Sequence, residues 1–281
     1  EVYSIPMLLL IGWRGAPGIK DEAQHIIQGK VLKNTLKSYG IPNITLKKKL
    51  DNFEILNFIK KIKKQNKIGA IIIKPKTFLN IHSKNTKKTK KKITLLRSEV
   101  IEKILICAKK NTKIIGSVGY NSREINQIRN EKKIKNGKDF LLIGGMGHTF
   151  AVSQIIAKKD PRNLVVCIDG DGSFFMHLGS FLTNKNDQKN LKYVLINNKS
   201  HESIGNVSIN KSVNFRRISG EFNFKKYFYL NNRKFLEKKI KEFLNFKGSS
   251  FLEVETAIGT LDNLLRPKKF KEIKKKFLKN K

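Results

Sequence analysis

Short apolar runs alternate with stretches of helical periodicity along most of the chain. Residues 7–11 read as a buried strand that runs into a loop rich in turn formers, 12–18. A helix is predicted over 21–39, stopped by Gly40-Ile41-Pro42, and Ile44 opens a short strand. Asp51 stands where it would cap the next helix, in which Ile55, Phe58, Ile59 and Ile62 share one face. Residues 69–73 form another buried strand. The pattern then fails: 75–94 is polar and dense in Lys, and reads as a solvated linker. A second series starts near Leu95, with a stripe of Ile101, Ile104, Leu105 and Ala108, a strand over 113–118 and a helix over 122–129. Further strands are predicted at 140–143, 164–168, 193–196, 227–230 and 251–255, with helices at 148–158, 174–183 and 233–246 and a basic helix beyond Pro267. Strands alternating with helices imply an α/β fold on parallel sheets. The domains expected are 1–74 and 95–281; because Glu1 leads almost directly into an apolar strand, the first is expected to be incomplete.

Composition changes this picture little. The formal charge of +37 first brings nucleic acid to mind. Only nine of the 59 basic residues are Arg, however, and the Lys are spread over nearly every segment beside abundant Asn, Ile and Phe. That distribution reads as solvated faces, which could still draw in an anionic substrate, and no nucleic-acid partner is expected. Cys107 and Cys167 each lie in an apolar run, which argues for buried thiols and against a disulfide framework or a metal site. With no apolar run of membrane-spanning length and no leader-like segment, the expected location is the cytoplasm, away from any membrane.

Chemistry concentrates at three strand ends. The strand at 164–168 delivers Gly170-Asp171-Gly172, and the strand at 193–196 delivers Asn197-Asn198, with 24 residues between Gly172 and Asn197. If the two strands are parallel neighbours, a carboxylate and a carboxamide meet at one carboxyl edge, where open α/β sheets bind ligands. Hard oxygens there suit Mg²⁺ holding a diphosphate. Gly-Asp-Gly alone is a common turn. Its placement between strand and helix and the Gly144-Gly145-Met146-Gly147 turn ending the preceding strand strengthen the reading, and three adjacent strand ends are expected to converge.

The Gly-Asp-Gly and Asn-Asn pair at this spacing resembles the fingerprint of the thiamine diphosphate-dependent decarboxylases. Within that family the likeness is greatest to the enzymes acting on phosphonopyruvate, with those acting on sulfopyruvate next. It extends over almost the whole chain and is carried by residues 6–15, by Lys20-Asp21-Glu22-Ala23-Gln24-His25, by Ser122-Arg123-Glu124 and by residues 196–203. The resemblance implies two doubly wound parallel-sheet domains, the first lacking the part that would carry the glutamate activating the cofactor. It implies thiamine diphosphate and Mg²⁺ as cofactors, with the cation held by Asp171, Asn198 and Ser200. Gly145, Met146, His148, Gly170, Gly172 and Ser173 would contact the cofactor, with Met146 beneath its thiazolium ring. Arg14, Asp21, Gln24 and Gln28 would face the 2-oxo acid, and His25 and His201 join Met146 as catalytic candidates. His82 reads as solvated and His177 as packing.

Gly205-Asn206 stands where the family carries Gly-Gly, so this loop departs from the family pattern. The family implies a homo-oligomer with active sites between subunits, and decarboxylation of 3-phosphonopyruvate to phosphonoacetaldehyde in phosphonate biosynthesis. Sulfopyruvate decarboxylation, an acetolactate synthase-like carboligation and, from another class, nucleic-acid binding are the competing readings.

Overall fold

The computed structural model describes residues 3–46, 52–78, 95–184, 188–209, 212–267 and 269–279. The expected cap Asp51, His82 and the Lys-dense segment from residue 79 to 94 lie outside the described residues. The chain divides into two compact units, Glu1–Thr89 and Lys90–Lys281.

In the first unit, β1 (Met7–Gly12), α1 (Ala23–Ser38), β2 (Asn43–Thr45), α2 (Asn52–Lys64) and β3 (Ile68–Ile73) build a three-stranded parallel sheet in the order β1-β3-β2. The central strand β3 buries Gly69, Ala70, Ile71 and Ile72, as an apolar run covered on both faces should. Leu36 of α1 packs on Ala70 and Ile72 together with Leu9, Trp13 and Leu32. The Trp13 indole donates to the Gly29 carbonyl at 2.8 Å, tying the loop after β1 to α1.

The second unit begins with α3 (Arg97–Cys107), β4 (Lys113–Gly116), α4 (Tyr120–Glu131), β5 (Lys138–Leu141), α5 (Thr149–Lys159) and β6 (Val165–Gly170). It continues with α6 (Asp171–Met176), β7 (Leu191–Asn197), β8 (Ser200–His201), β9 (Val207–Ser208), α7 (Phe215–Glu221), β10 (Lys226–Leu230), α8 (Leu236–Asn245), β11 (Ser250–Glu255) and α9 (Phe270–Leu278). Among the described residues the main sheet has six strands, all parallel, in the order β10-β11-β7-β6-β4-β5.

Alternation along the strands sorts the side chains into two cores. Val166, Ile168, Val194, Ile196, Leu252 and Val254 face α3, α4 and α8. Val165, Cys167, Tyr193, Leu195 and Phe251 face the other way, into an aromatic layer that includes Phe150, Phe174, Phe181, Phe215 and Phe224. There Phe150 and Phe181 stack with ring centroids 3.9 Å apart.

The structure corrects several expectations. The strand predicted at 140–143 lies at Lys138–Leu141, leaving its former end in the Gly turn. The helix predicted over 174–183 starts at Asp171, breaks at His177 and continues as a 3-10 turn, Leu178–Thr183. The helix predicted over 233–246 is a 3-10 turn followed by α8. The three strand ends are not adjacent: β5 is at the sheet edge, and β4 lies between it and β6. The chain crosses from β5 to the far side of β4 before entering β6, so the topological switch point falls between β4 and β6. Neither α7 nor the β8–β9 hairpin was anticipated, because both lie in segments of mixed polarity without clear periodicity.

Lys192 is the one strand lysine that is fully buried among the described residues. Its ammonium donates to the carbonyls of Phe246 and Gly248 at 2.7 and 2.6 Å, closing the loop between α8 and β11. Burial pulls its pKa down to about 8. The unfolded chain therefore binds more protons than the folded one between pH 8 and the ordinary lysine value, and this residue's contribution to stability rises with pH across that window. Lys192→Met should cost about 1–3 kcal/mol at neutral pH by leaving two carbonyls unpaired. Urea unfolding should show the gap to the parent widening by about 2 kcal/mol between pH 8 and 10.

Candidate functional site

Parallel pairing brings Gly170 at the end of β6 opposite Ile196 near the end of β7. The loops leaving β4, β6 and β7 then surround a cavity of about 50 Å³. Ser117, Val118, Tyr120 and Asn121 line it from the β4 side, Gly170, Asp171, Gly172 and Ser173 from the β6 side, and Ile196, Asn198, Ser200, His201, Glu202 and Ser203 from the β7 side. At roughly 10–15 Å³ for one water, this volume holds a few waters' worth of ligand. It suits an ion and the end of a larger ligand.

Asp171 is 2% exposed and is held by backbone. Oδ1 accepts from the Gly172 amide at 2.7 Å, and Oδ2 accepts from the Lys199 amide at 2.6 Å. Lys199 has a left-handed backbone (φ 59°), which curls the 198–200 loop over the carboxylate. Burial pushes the Asp171 pKa up to about 6, against the lowering effect of those amides. Asn198 lines the same cavity, and its Oδ1 accepts from the Ser200 amide at 3.1 Å. Two buried oxygens of the lining, Asn121 Oδ1 and Ser200 Oγ, have no hydrogen-bond partner. Among the described residues no group of three or more His, Cys, Asp or Glu could hold a metal. The donors here are instead hard oxygens with a single carboxylate, a set that suits Mg²⁺ when the ligand supplies further oxygens. The residues present therefore fit a cation-bound diphosphate.

The Gly turn reaches this site although its strand is two places away. Gly144, Gly145 and Gly147 all have positive φ (69°, 59° and 90°), a path that side-chain-bearing residues rarely follow. The Gly147 amide donates to Ser173 Oγ at 3.1 Å, and Met146 joins the cavity wall. Asp169 anchors the crossing: it is 1% exposed and accepts from the Gly170 amide and from Tyr193 Oη at 2.9 and 3.1 Å. Gly172 allows a close approach of another kind. A Cβ there would lie 2.2 Å from His201 Nδ1, so the His201 ring is seated on the glycine.

Of the residues singled out from the sequence, Asp171, Asn198, Ser200, Met146, Gly170, Gly172, Ser173 and His201 come together around this cavity. Gly145 and His148 lie outside its lining, and the His148 ring packs edge-on against His177, centroids 4.4 Å apart. In the first unit, Asp21 accepts from Arg14 Nε at 2.8 Å and from the Gly15 and Glu22 amides at 2.6 and 2.7 Å. Its pKa falls well below the usual carboxylate range, chiefly through the Arg14 hydrogen bond. Arg14 and Asp21 thus shape their own loop. His25 is partly buried with its Nε2 3.5 Å from Gln24 Nε2, and Gln28 is exposed.

Sequence reasoning missed Ser117, Asn121, Arg97 and Asp169; it named Asn198 as a ligand and gave Asn197 no role of its own. Asn197 turns away, donating to Glu253 Oε1 at 2.6 Å. The only signals for Arg97 and Asp169 were charges inside or beside apolar runs.

Residues 117–254 match the family profile described as "Thiamine pyrophosphate enzyme, C-terminal TPP binding domain". This stretch is a thiamine pyrophosphate-binding domain. By its likeness to decarboxylases over this stretch and beyond it, the chain is an enzyme. Phosphonopyruvate decarboxylase of Streptomyces viridochromogenes is 23% identical over an alignment covering 94% of this chain and 69% of the relative. The corresponding enzyme of Streptomyces hygroscopicus is 22% identical over the same shares. Sulfopyruvate decarboxylase subunit beta of Methanothermobacter thermautotrophicus is 32% identical over 40% of this chain and 57% of the relative. Among the described residues no helix is long and apolar enough to cross a membrane.

Gly172→Ala should displace His201 and distort the 198–203 loop. Its thiamine pyrophosphate dissociation constant should rise at least about tenfold, the loss of one good polar contact, with shifted His201 ring resonances by NMR. Unchanged resonances would show that the ring does not depend on the missing Cβ.

Proposed function

We propose that the protein is a Mg²⁺- and thiamine pyrophosphate-dependent 2-oxo acid decarboxylase that converts 3-phosphonopyruvate to phosphonoacetaldehyde and carbon dioxide, as a step in phosphonate biosynthesis. The observation that carries the proposal is the meeting of Asp171 and Asn198 at the mouth of one switch-point cavity inside the matched domain. In this reading Asp171, Asn198 Oδ1 and the Ser200 carbonyl hold the cation. Gly170, Gly172 and Ser173 let the diphosphate approach the backbone, and Met146 supports the ring end of the cofactor. When bound, the cofactor supplies the electron sink for the pair left by departing carbon dioxide. His201, in the same wall, is proposed to hold or move a proton beside it. The first unit's Arg14, Asp21, Gln24, Gln28 and His25 are proposed to serve the substrate.

Two considerations favour the phosphonate over the sulfonate. Alignment with the phosphonopyruvate decarboxylases runs through both units, whereas the sulfopyruvate subunit matches cover 40–44% of the chain. The Trp13-Arg14-Gly15 and Gln24-His25 segments, which resemble those of the phosphonate enzymes, support the same choice. Higher identity to the sulfopyruvate subunits, 29–32%, is what supports the second reading. Those relatives are subunits, and a multimer, here with sites between copies, belongs to the proposal, as does a cytoplasmic location.

Asp171→Ala in the full-length protein should abolish Mg²⁺-dependent binding of thiamine pyrophosphate by calorimetry; unchanged affinity would rule out the cation assignment. With both substrates offered to the unaltered enzyme, kcat/KM for 3-phosphonopyruvate should exceed that for sulfopyruvate by at least about tenfold, the worth of one differential contact. The reverse ratio would establish the second reading.

A further inference from the structure

Beside Asn198, with Arg97 and Glu202 in the same cavity wall, lies a cluster of charged side chains to which the proposed reaction assigns no role. Arg97, 5% exposed at the start of α3, donates to Glu124 through Nε at 3.0 Å and to Glu202 Oε2 through Nη1 at 2.8 Å. Its Nη2 reaches the Gly259 carbonyl at 2.7 Å. The Gly259 amide returns a hydrogen bond to Glu202 Oε1 at 2.7 Å, and the Leu261 amide donates to Glu124 Oε1 at 3.2 Å. The Glu202 side chain is itself 8% exposed. Its Oε2 also accepts from Asn198 Nδ2 at 2.6 Å.

A carboxylate only accepts, so the group facing it must be the NH₂ of Asn198. The amide oxygen is thereby turned away from Glu202 and meets the Ser200 amide, in a wall that Asp171 and Glu202 both line. Glu202 fixes the amide from its nitrogen side by the shorter bond, 2.6 Å against 3.1 Å for the Ser200 amide on the oxygen, and only the oxygen can ligate a cation. Arg97 in turn cannot swing away, because the Glu124 carboxylate and the Gly259 carbonyl hold the other edge of its fork.

We propose that Glu202 is a positioning residue for the cation site: through its hydrogen bond to Asn198 Nδ2 it sets the amide oxygen toward the cavity, with Arg97 as the fixed anchor behind it. This rests on the cation-bound cofactor reading above. Glu202→Gln is the sharp test. Three donors converge on Glu202, from Asn198, Arg97 and Gly259, and a glutamine must turn its own NH₂ toward at least one of them.

The experiment titrates Mn²⁺ into the full-length protein with saturating thiamine pyrophosphate, reading bound Mn²⁺ by electron paramagnetic resonance. E202Q should weaken Mn²⁺ by about 10–100-fold, as loss of a ligand-orienting partner does. In an Asn198→Ala background the same change should weaken it by less than about twofold, because the group acted upon is gone. Equal weakening in both backgrounds would mean that Glu202 acts by charge or by general stability, and would overturn the proposal. If the N198A protein binds too weakly to titrate, hydrogen exchange of the Asn198 side-chain amide decides the point: it should quicken at least about tenfold in E202Q, the loss of one protecting bond, and an unchanged rate would overturn the proposal. No Mn²⁺ signal from the unsubstituted protein would overturn the cofactor reading and this inference together. A normal parent signal that E202Q leaves intact overturns this inference alone.

Discussion

The parallel pairing of β6 with β7 is the constraint on which the site depends. Both strands are buried and mostly apolar and lie at the centre of the sheet, so the hydrophobic effect on both faces fixes their register. A slip of one residue would turn Val166, Ile168, Val194 and Ile196 out of one core and into the other. In the observed register Asp171 and Asn198 leave their strands at the same edge. The Lys199 amide then closes the gap by donating to Asp171 at 2.6 Å. Chemistry at this edge is therefore set by packing that takes place well below it.

Around that pairing the structure spends buried polar groups on aiming. Asp169 gathers Gly170, Tyr193 and, at 3.5 Å, the Thr149 hydroxyl, joining β6, β7 and the start of α5. The Arg97–Glu124–Glu202 cluster joins α3, α4 and the 198–203 loop to the loop after β11. Removing one member of such a cluster strands a buried charge, which is why its geometry is well determined. Asn197 and Glu253 perform a similar task on the other side, with Tyr227 Oη donating to the same carboxylate. One asparagine of the pair thus braces the sheet while its neighbour faces the cavity.

Much of the fold was legible in the chain, because buried parallel strands announce themselves as short apolar runs and the amphipathic helices between them keep their period. The Gly-Asp-Gly and Asn-Asn signals were legible for a related reason: both sit directly at strand ends, where local sequence dictates where the chain turns. Harder to see was the break at His177, since Phe174 and Phe181 on either side both enter the aromatic layer and conceal the change from α to 3-10 geometry. The adjacency of the glycine turn was misread because strand order is not a local property.

By itself the sequence determined the α/β class, the positions of the strand ends and the residue types able to hold a cation there, since each follows from local periodicity, turn chemistry or donor hardness. Tertiary structure alone decided that β4 lies between β5 and β6, so that Met146 arrives by a crossing held through Gly147 and Ser173. It alone brought Arg97 to Glu202, 105 positions away. It alone gave Asn197 its partner, Glu253, 56 positions away. Those outcomes depend on contacts between segments remote in the chain, and no local pattern of hydrophobic and polar residues encodes them.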